Sequence, residues 1–253
     1  MKLSREALVE IHDKLQRAYG ALQQGSLPLL TQVDRSPMDV LIATILSQNT
    51  TDRSALKCFL RMKREVSSWS ELAELPLTEV AQLIKECGLS TQKARNIKEI
   101  VASTGGCLDH LATMHPEQAF SYLLSMPGVG PKTAACVMLF SLGKPYFPVD
   151  THVRRVVTRL GLAPTGSSAQ KVQQLLQGTV PAQIAGTLHL LLITHGRACC
   201  TARSPQCKEC CLSTDCDYVL SFRSLDSGLP RADESTASLT GSMSGEAAMS
   251  RPQ

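Results

Sequence analysis

The chain has 253 residues, 43% of them hydrophobic and 19% charged, which is enough to bury a core in one large domain or two small ones. Only 4% are aromatic, which argues against an all-β fold, and no apolar run approaches the roughly 20 residues that cross a bilayer. The net charge of +4 combines an acidic segment from residue 217 onward with a basic body, a balance that permits nucleic-acid binding without requiring it.

Apolar spacing and capping signals predict successive helices and therefore an all-α fold. No alternating segment is long enough to indicate a strand, and no internal repeat is present. After residue 218 the composition becomes small and polar, so we expect residues 219–253 to form a disordered tail. The predicted helices cover residues 8–22, 37–46, 52–65, 78–87, 91–103, 116–126, 131–142, 151–160, a segment from about 169, and 182–195.

Six of the ten cysteines lie between residues 199 and 216. The first residues have no apolar signal segment, so we expect a cytoplasmic protein, where clustered thiols bind metal more often than they form disulfides. A single C-x2-C pair of cysteines within one loop fits a [4Fe-4S] cluster better than structural zinc, although zinc stays an alternative. Cys199 and Cys211 adjoin candidate ligands, so spacing does not choose uniquely. The candidates are Cys200, Cys207, Cys210 and Cys216.

A glycine-rich hairpin is predicted where residues 127–132 read Pro-Gly-Val-Gly-Pro-Lys between two helices. Glycine lets the backbone turn sharply and approach a ligand, and free N–H groups at the start of the second helix can hold a phosphate. Gly128, Val129 and Gly130 are therefore candidate binding residues. Lys132 lies where the helix dipole disfavours its charge, so it is a candidate nucleophile as well as an ordinary exposed lysine.

Asp150 is predicted to cap the helix that follows it. If it also faces Lys132, its carboxylate can accept the proton of the amine or stabilise positive charge on a sugar. For His152, the sequence favours a core position and a place in a pocket equally.

Together, the hairpin with Lys132, the run Val-Asp-Thr-His at residues 149–152 and the cysteine spacing C-x6-C-x2-C-x5-C resemble the endonuclease III family of DNA base-excision glycosylases. The resemblance covers roughly residues 1–218. It implies that Lys132 is the nucleophile, Asp150 the catalytic aspartate, and the four candidate cysteines the ligands of a [4Fe-4S] cluster. Gln48 would fill the gap that a flipped base leaves, and Leu89 would be the wedge beside it.

The resemblance also implies two helical lobes. Residues 28–142 would form a six-helix lobe with the hairpin, and residues 1–27 would join 143–218 in a lobe with the cluster loop. The implied activity is glycosylase and abasic-site lyase chemistry through a Schiff base on lysine, with oxidised pyrimidines as the damaged bases. The implied partner is double-stranded DNA with damaged bases or abasic sites, bound by a monomer without a membrane, at the nucleoid in a bacterial or archaeal cell.

Two groups of alternatives stay open. An adenine-mismatch glycosylase would carry a glutamate where this chain has Thr44, and usually lacks the hairpin lysine. A thymine or uracil mismatch glycosylase is harder to exclude, because Pro131 and the Ser90-Thr91 pair depart from the usual pattern and put the base preference in doubt. A non-catalytic DNA-binding or redox module, or an electron carrier, would not need Lys132 together with Asp150.

Overall fold

The structure is a computed structural model that describes residues 2–20 and 29–226. Within these ranges the chain forms eleven α-helices linked by turns and short 3-10 segments, without a strand, which confirms the all-α prediction. The helices are α1 (Arg5–Tyr19), α2 (Pro37–Ser47), α3 (Asp52–Glu65), α4 (Leu77–Leu83), α5 (Ser90–Thr104), α6 (Pro116–Leu124), α7 (Pro131–Phe140), α8 (Thr151–Arg159), α9 (Ala169–Leu176), α10 (Ala182–Ala198) and α11 (Asp217–Asp226).

Side-chain caps explain where several helices begin. Each capping oxygen accepts a backbone N–H that has no partner inside the helix. The caps of α2, α3, α8 and α9 are Ser36, Thr51, Asp150 and Ser168, of which Asp150 is the cap predicted above. The start of α5 differs, because Ser90 is its first residue and Leu89 occupies the cap position in the left-handed region, with φ 49°.

The end of the chain also differs from the prediction. Residues 219–226 were expected to open a disordered tail, but they belong to α11. The ring of Tyr218, at the start of this helix, lies 4.7 Å beneath the guanidinium of Arg159, and Val219 packs on the second apolar cluster. These contacts offset the conformational entropy that the segment loses when it becomes ordered. The small, polar composition of the segment did not indicate them. The rest of the predicted tail, residues 227–253, and positions 21–22 of the first predicted helix lie outside the described residues.

Buried apolar side chains form two clusters. The first takes its buried members from Leu29 to Met138, and the second takes them from α1 and from Phe147 to Cys216. Helix α1 packs against α10, which in turn packs against α8. The lobe boundaries that the resemblance implies stay a prediction, and residues 1 and 21–28 lie outside the described residues. No helix in the described ranges is long and apolar enough to cross a membrane.

Helix α2 is the central element of the first cluster. All of its residues from 37 to 46 are buried, and the buried carboxylate of Asp39 accepts a hydrogen bond from Trp69 Nε1 at 2.8 Å. Lys63 Nζ lies 3.3 Å from the same carboxylate and supplies an opposite charge. A buried carboxylate needs such partners, since an unpaired one is costly to desolvate. These contacts anchor the start of α2, which ends at Ser47 with Gln48 as its C-cap.

Candidate active site

A cleft of about 900 Å³ lies between the two apolar clusters. Its walls come from the end of α2 and start of α3 on one side, and from α8 and α10 on the other, with the start of α7 contributing between them. A cleft of this size at such a junction is a typical ligand site. Its polar lining includes Gln48, Asp52, Lys132, Asp150, His152, His189 and Arg197.

Lys132 and Asp150 both line this cleft, as the sequence interpretation required. Lys132 is the second residue of α7 and is half-buried. Asp150 is the N-cap of α8, and its Oδ1 accepts the backbone N–H of Val153 at 2.8 Å, which orients the carboxylate. Within the described part of the chain no ion pair joins the two side chains. The cleft therefore presents an amine and a carboxylate to the same space.

Two buried side chains behind this pair were not singled out as site residues from the sequence. Burial lowers the pKa of His189 to about 4, an effect that nearby Asp150 opposes, so the ring is neutral at neutral pH. Its Nδ1 lies 3.0 Å from the carbonyl oxygen of Pro148 and donates to it. Burial likewise raises the pKa of the Cys136 thiol, which Lys132 contacts. The one sequence signal for His189 is a histidine interrupting the apolar run 188–193.

The hairpin before Lys132 needs glycine at position 128 for two reasons. Gly128 has φ 73°, and a Cβ at that position would lie 2.1 Å from Asn96 Nδ2. Gly130 caps α7 with ordinary φ, and no side chain caps this helix, so the backbone N–H groups of its first turn have no capping side chain. The side chain of Val129 lies in the first cluster, so a contact to a ligand there would be made by backbone.

Gln48 connects the end of α2 to this hairpin. Its side-chain Nε2 donates to the carbonyl oxygen of Gly128 at 3.1 Å and to Thr133 Oγ1 at 3.3 Å. Leu89 does not line the cleft, but the residue is 64% exposed, which is unusual for a leucine and suits a protruding residue. Thr133 was not singled out from the sequence, because only the fold brings its hydroxyl to Gln48.

Opposite charges join the two walls of the cleft. Arg197, near the end of α10, binds the carboxylate of Asp52 at the start of α3 through two nitrogens, at 2.9 and 3.2 Å. Hydrogen bonding to Asp52 raises the pKa of Arg197. Two parallel bonds of this kind add geometric definition as well as attraction. The pairing of these two residues was not predicted from the sequence.

Helix α8 links the cleft to the cysteine loop through two arginines. Arg155 Nη2 lies 3.0 Å from His152 Nδ1, which must accept because a guanidinium only donates. The same arginine donates to the carbonyl oxygens of Gly196 at 2.7 Å and Cys200 at 2.8 Å. One turn further, Arg159 Nη1 lies 3.3 Å from Cys200 Sγ. The helix that Asp150 caps is thus hydrogen-bonded to the loop.

The four predicted ligands converge on one small pocket, together with Cys199 and His195. The donor set is rich in thiols and the walls are apolar, which fits a cluster held by thiolates. His195, Cys199 and Cys210 place potential ligand atoms within 4.8 Å of one another, so a metal ion would find donors here. Cys211 does not line the pocket, whereas Cys199 does. The structure thereby separates the two extra cysteines that spacing could not.

Comparison with known proteins agrees with this architecture. Residues 42–182 match the family model described as HhH-GPD superfamily base excision DNA repair protein. Endonuclease III of Escherichia coli strain K12 is 36% identical over 183 residues, which span 72% of this chain and 84% of the relative.

Solved structures are similar as well. A trapped endonuclease III–DNA covalent intermediate superposes with a TM-score of 0.71 and 29% identity, over 87% of this chain and 99% of the other. A thermostable thymine-DNA glycosylase superposes with a TM-score of 0.69 and 26% identity, over 86% and 97%. The chain therefore belongs to the HhH-GPD superfamily of base excision DNA repair proteins and, within it, to the endonuclease III family of DNA glycosylases with abasic-site lyase activity.

Proposed function

We propose that Lys132 is the nucleophile and Asp150 the catalytic carboxylate of this glycosylase and lyase, and that its substrates are oxidised pyrimidines in duplex DNA. The observation that carries the proposal is the shared cleft, in which a half-buried lysine and a carboxylate oriented by capping α8 face the same space. Capping explains Asp150 alone, but it does not explain why a lysine from another helix lines the same cleft.

The first half of the reaction follows from these two groups. The base leaves the stack, because its glycosidic bond is out of reach inside a duplex. The Lys132 amine attacks C1′ of the sugar, the bond from C1′ to the base breaks, and the base departs with the bonding electrons. Asp150 stabilises the positive charge that develops on the sugar and accepts the proton that the amine releases.

The second half uses the covalent adduct. Opening of the sugar ring gives a Schiff base between Lys132 and C1′, which makes the neighbouring C2′ proton acidic. Loss of that proton expels the 3′ phosphate oxygen and cuts the strand on the 3′ side of the lesion. Hydrolysis of the Schiff base then frees the lysine. One amine thus accounts for both base removal and strand cleavage.

The DNA contacts are proposed from the edges of the cleft. The N–H groups at the start of α7, which no side chain caps, would hold a phosphate without reading sequence. Gln48 would enter the gap left by the flipped base, and exposed Leu89 would separate the neighbouring bases. His152 would contact the DNA backbone from the opposite wall. We expect a monomer to suffice and to act wherever the chromosome lies, which is the nucleoid in a bacterial or archaeal cell.

Borohydride trapping tests the proposal. Wild-type protein is incubated with duplexes that carry an abasic site, an oxidised pyrimidine or a thymine mismatch, and borohydride is added to reduce any Schiff base. We expect a covalent complex with the first two duplexes, and peptide mass spectrometry should place the adduct on Lys132. Excision of the mismatched thymine without an adduct would instead favour the second candidate, a mismatch glycosylase, which the similarity to a thymine-DNA glycosylase structure supports.

We also propose that Cys200, Cys207, Cys210 and Cys216 hold a [4Fe-4S] cluster. When bound, such a cluster would brace the loop that carries these cysteines against α8. Because Arg155 and Arg159 of α8 bind this loop, the cluster would also help to hold α8 in place, and the first residues of α8 line the cleft. The chemistry of base removal would stay with Lys132 and Asp150.

Removing one thiolate should empty this metal site. Cys207→Ser is expected to lower the iron content from about four atoms per chain to a small fraction of that value, because a hydroxyl is a poor ligand for iron. Iron and sulfide assays with the visible absorption spectrum give the measurement. Cys107→Ser, at an exposed cysteine, is the control and should retain the metal. Purified protein that contains zinc instead of iron would contradict the cluster assignment.

A further inference from the structure

Two turns beside the cleft each contain a residue in a backbone conformation that non-glycine residues rarely adopt. Among the residues that the structure describes, Asn49 with φ 55° and Leu89 with φ 49° are the two non-glycine residues in the left-handed region. Asn49 directly follows Gln48, and Leu89 is the exposed leucine between Gly88 and α5. Strained conformations persist only where their surroundings enforce them, and they concentrate at functional sites.

One buried side chain lies between the two turns. Lys93 is 3% exposed, and its ammonium donates to the carbonyl oxygens of Leu46 at 2.8 Å, Gln48 at 2.7 Å and Cys87 at 2.7 Å. The first two acceptors are at the end of α2, where carbonyls have no partner inside the helix. The third immediately precedes the Gly88–Leu89 turn. A single amine therefore binds backbone carbonyls that lie shortly before each of the two left-handed residues in the chain.

The number of acceptors matches the charged form of this lysine. An ammonium group has three N–H donors, and three carbonyl oxygens accept them. Burial lowers the pKa of Lys93, while the three hydrogen bonds that its ammonium donates to carbonyl oxygens offset part of the cost of desolvating its charge. Replacing the amine would leave three buried carbonyls without this donor, and both turns would lose the contact that joins them.

We propose that Lys93 is a positioning residue for base extrusion, which holds the Gln48 turn and the Leu89 turn at a fixed separation so that both enter the base stack together. The proposal rests on the proposed function, since it assigns these turns to the opened stack. Lys93 itself lies beneath the turns and would not contact DNA. Its role predicts a defect in opening duplex DNA and no defect in the chemistry at C1′.

The same helix supplies a matched control. Lys98, five residues further along α5, also donates to three backbone carbonyls, those of Leu72, Ala73 and Leu75. It braces the segment before α4 and contacts neither the cleft nor the two left-handed residues. If Lys93 were only a structural brace, Lys93→Met and Lys98→Met would affect activity in the same way.

The test compares cleavage of an abasic site in duplex DNA with cleavage in single-stranded DNA, where no stack must be opened. For Lys93→Met we expect about 10–100-fold slower single-turnover cleavage of the duplex, the usual effect of misplacing a positioning group. Cleavage of the single strand should stay within about twofold of wild type. Lys98→Met should leave the ratio of the two rates unchanged. Fluorescence of 2-aminopurine beside the abasic site would report reduced base unstacking by Lys93→Met alone.

The outcomes distinguish a failure of the proposed function from a failure of the proposed role of Lys93. If wild-type protein cleaves neither substrate, the proposed function fails. If wild type cleaves both and Lys93→Met slows both equally, or slows neither, the positioning role of Lys93 is wrong. Circular dichroism and thermal unfolding check that each variant is folded. If Lys93→Met does not fold, Lys93→Gln, which keeps two N–H donors, takes its place and should show a smaller shift of the same ratio.

Discussion

Lys132→Gln is expected to abolish the borohydride-trapped complex and to slow strand cleavage at an abasic site by about 10⁴-fold or more. An amide nitrogen has no lone pair available for attack on C1′, so neither the adduct nor the elimination that follows can form. The substitution keeps a polar side chain of similar length in the first turn of α7. Binding of an uncleavable abasic duplex should therefore stay within several-fold of wild type.

Single-turnover cleavage and fluorescence anisotropy with the same duplex separate chemistry from binding. Lys171→Gln is the matched control, because Lys171 lies in the first turn of α9, is exposed and does not line the cleft. It should cleave and trap like wild type. A trapped complex formed by Lys132→Gln at the wild-type rate would show that another amine is the nucleophile.

Asp150→Asn should have the second-largest effect on activity, with base excision about 10²–10⁴-fold slower. The amide oxygen of asparagine can still accept the N–H of Val153, so the cap of α8 survives while the negative charge is lost. The free energy of unfolding should therefore change by less than about 1 kcal/mol. Asp150→Ala removes the charge and the cap, and should also destabilise the protein by about 0.5–2 kcal/mol.

Excision kinetics and thermal unfolding of these variants distinguish a catalytic carboxylate from a helix cap. Ser4→Ala supplies the control, because Ser4 caps α1 outside the cleft by accepting the N–H of Ala7 at 3.1 Å. That variant should lose stability to a similar extent and excise bases at the wild-type rate. If Asp150→Asn excised bases as fast as wild type, Asp150 would be a cap and nothing more.

Features that depend on neighbouring residues could be predicted from the sequence. Caps such as Ser36 and Thr51 bond to N–H groups three residues away, so a short window contains the whole interaction. The cysteine loop is equally local, because its four predicted ligands lie within seventeen consecutive positions, 200–216. The hairpin glycine at residue 128 was also recognisable, although the close approach of Asn96 that reinforces it was not.

Only the tertiary structure decided the features whose partners lie far apart in the chain. Lys93 binds carbonyls up to 47 residues away, His189 donates to a carbonyl 41 residues away, and Arg197 pairs with an aspartate 145 residues away. Lys93 and His189 are buried, and burial of their polar groups is tolerated only because distant backbone carbonyls accept their hydrogen bonds. No local pattern encodes these partners. The shared cleft of Lys132 and Asp150 has the same origin, since the starts of α7 and α8 line one cleft only in the folded chain.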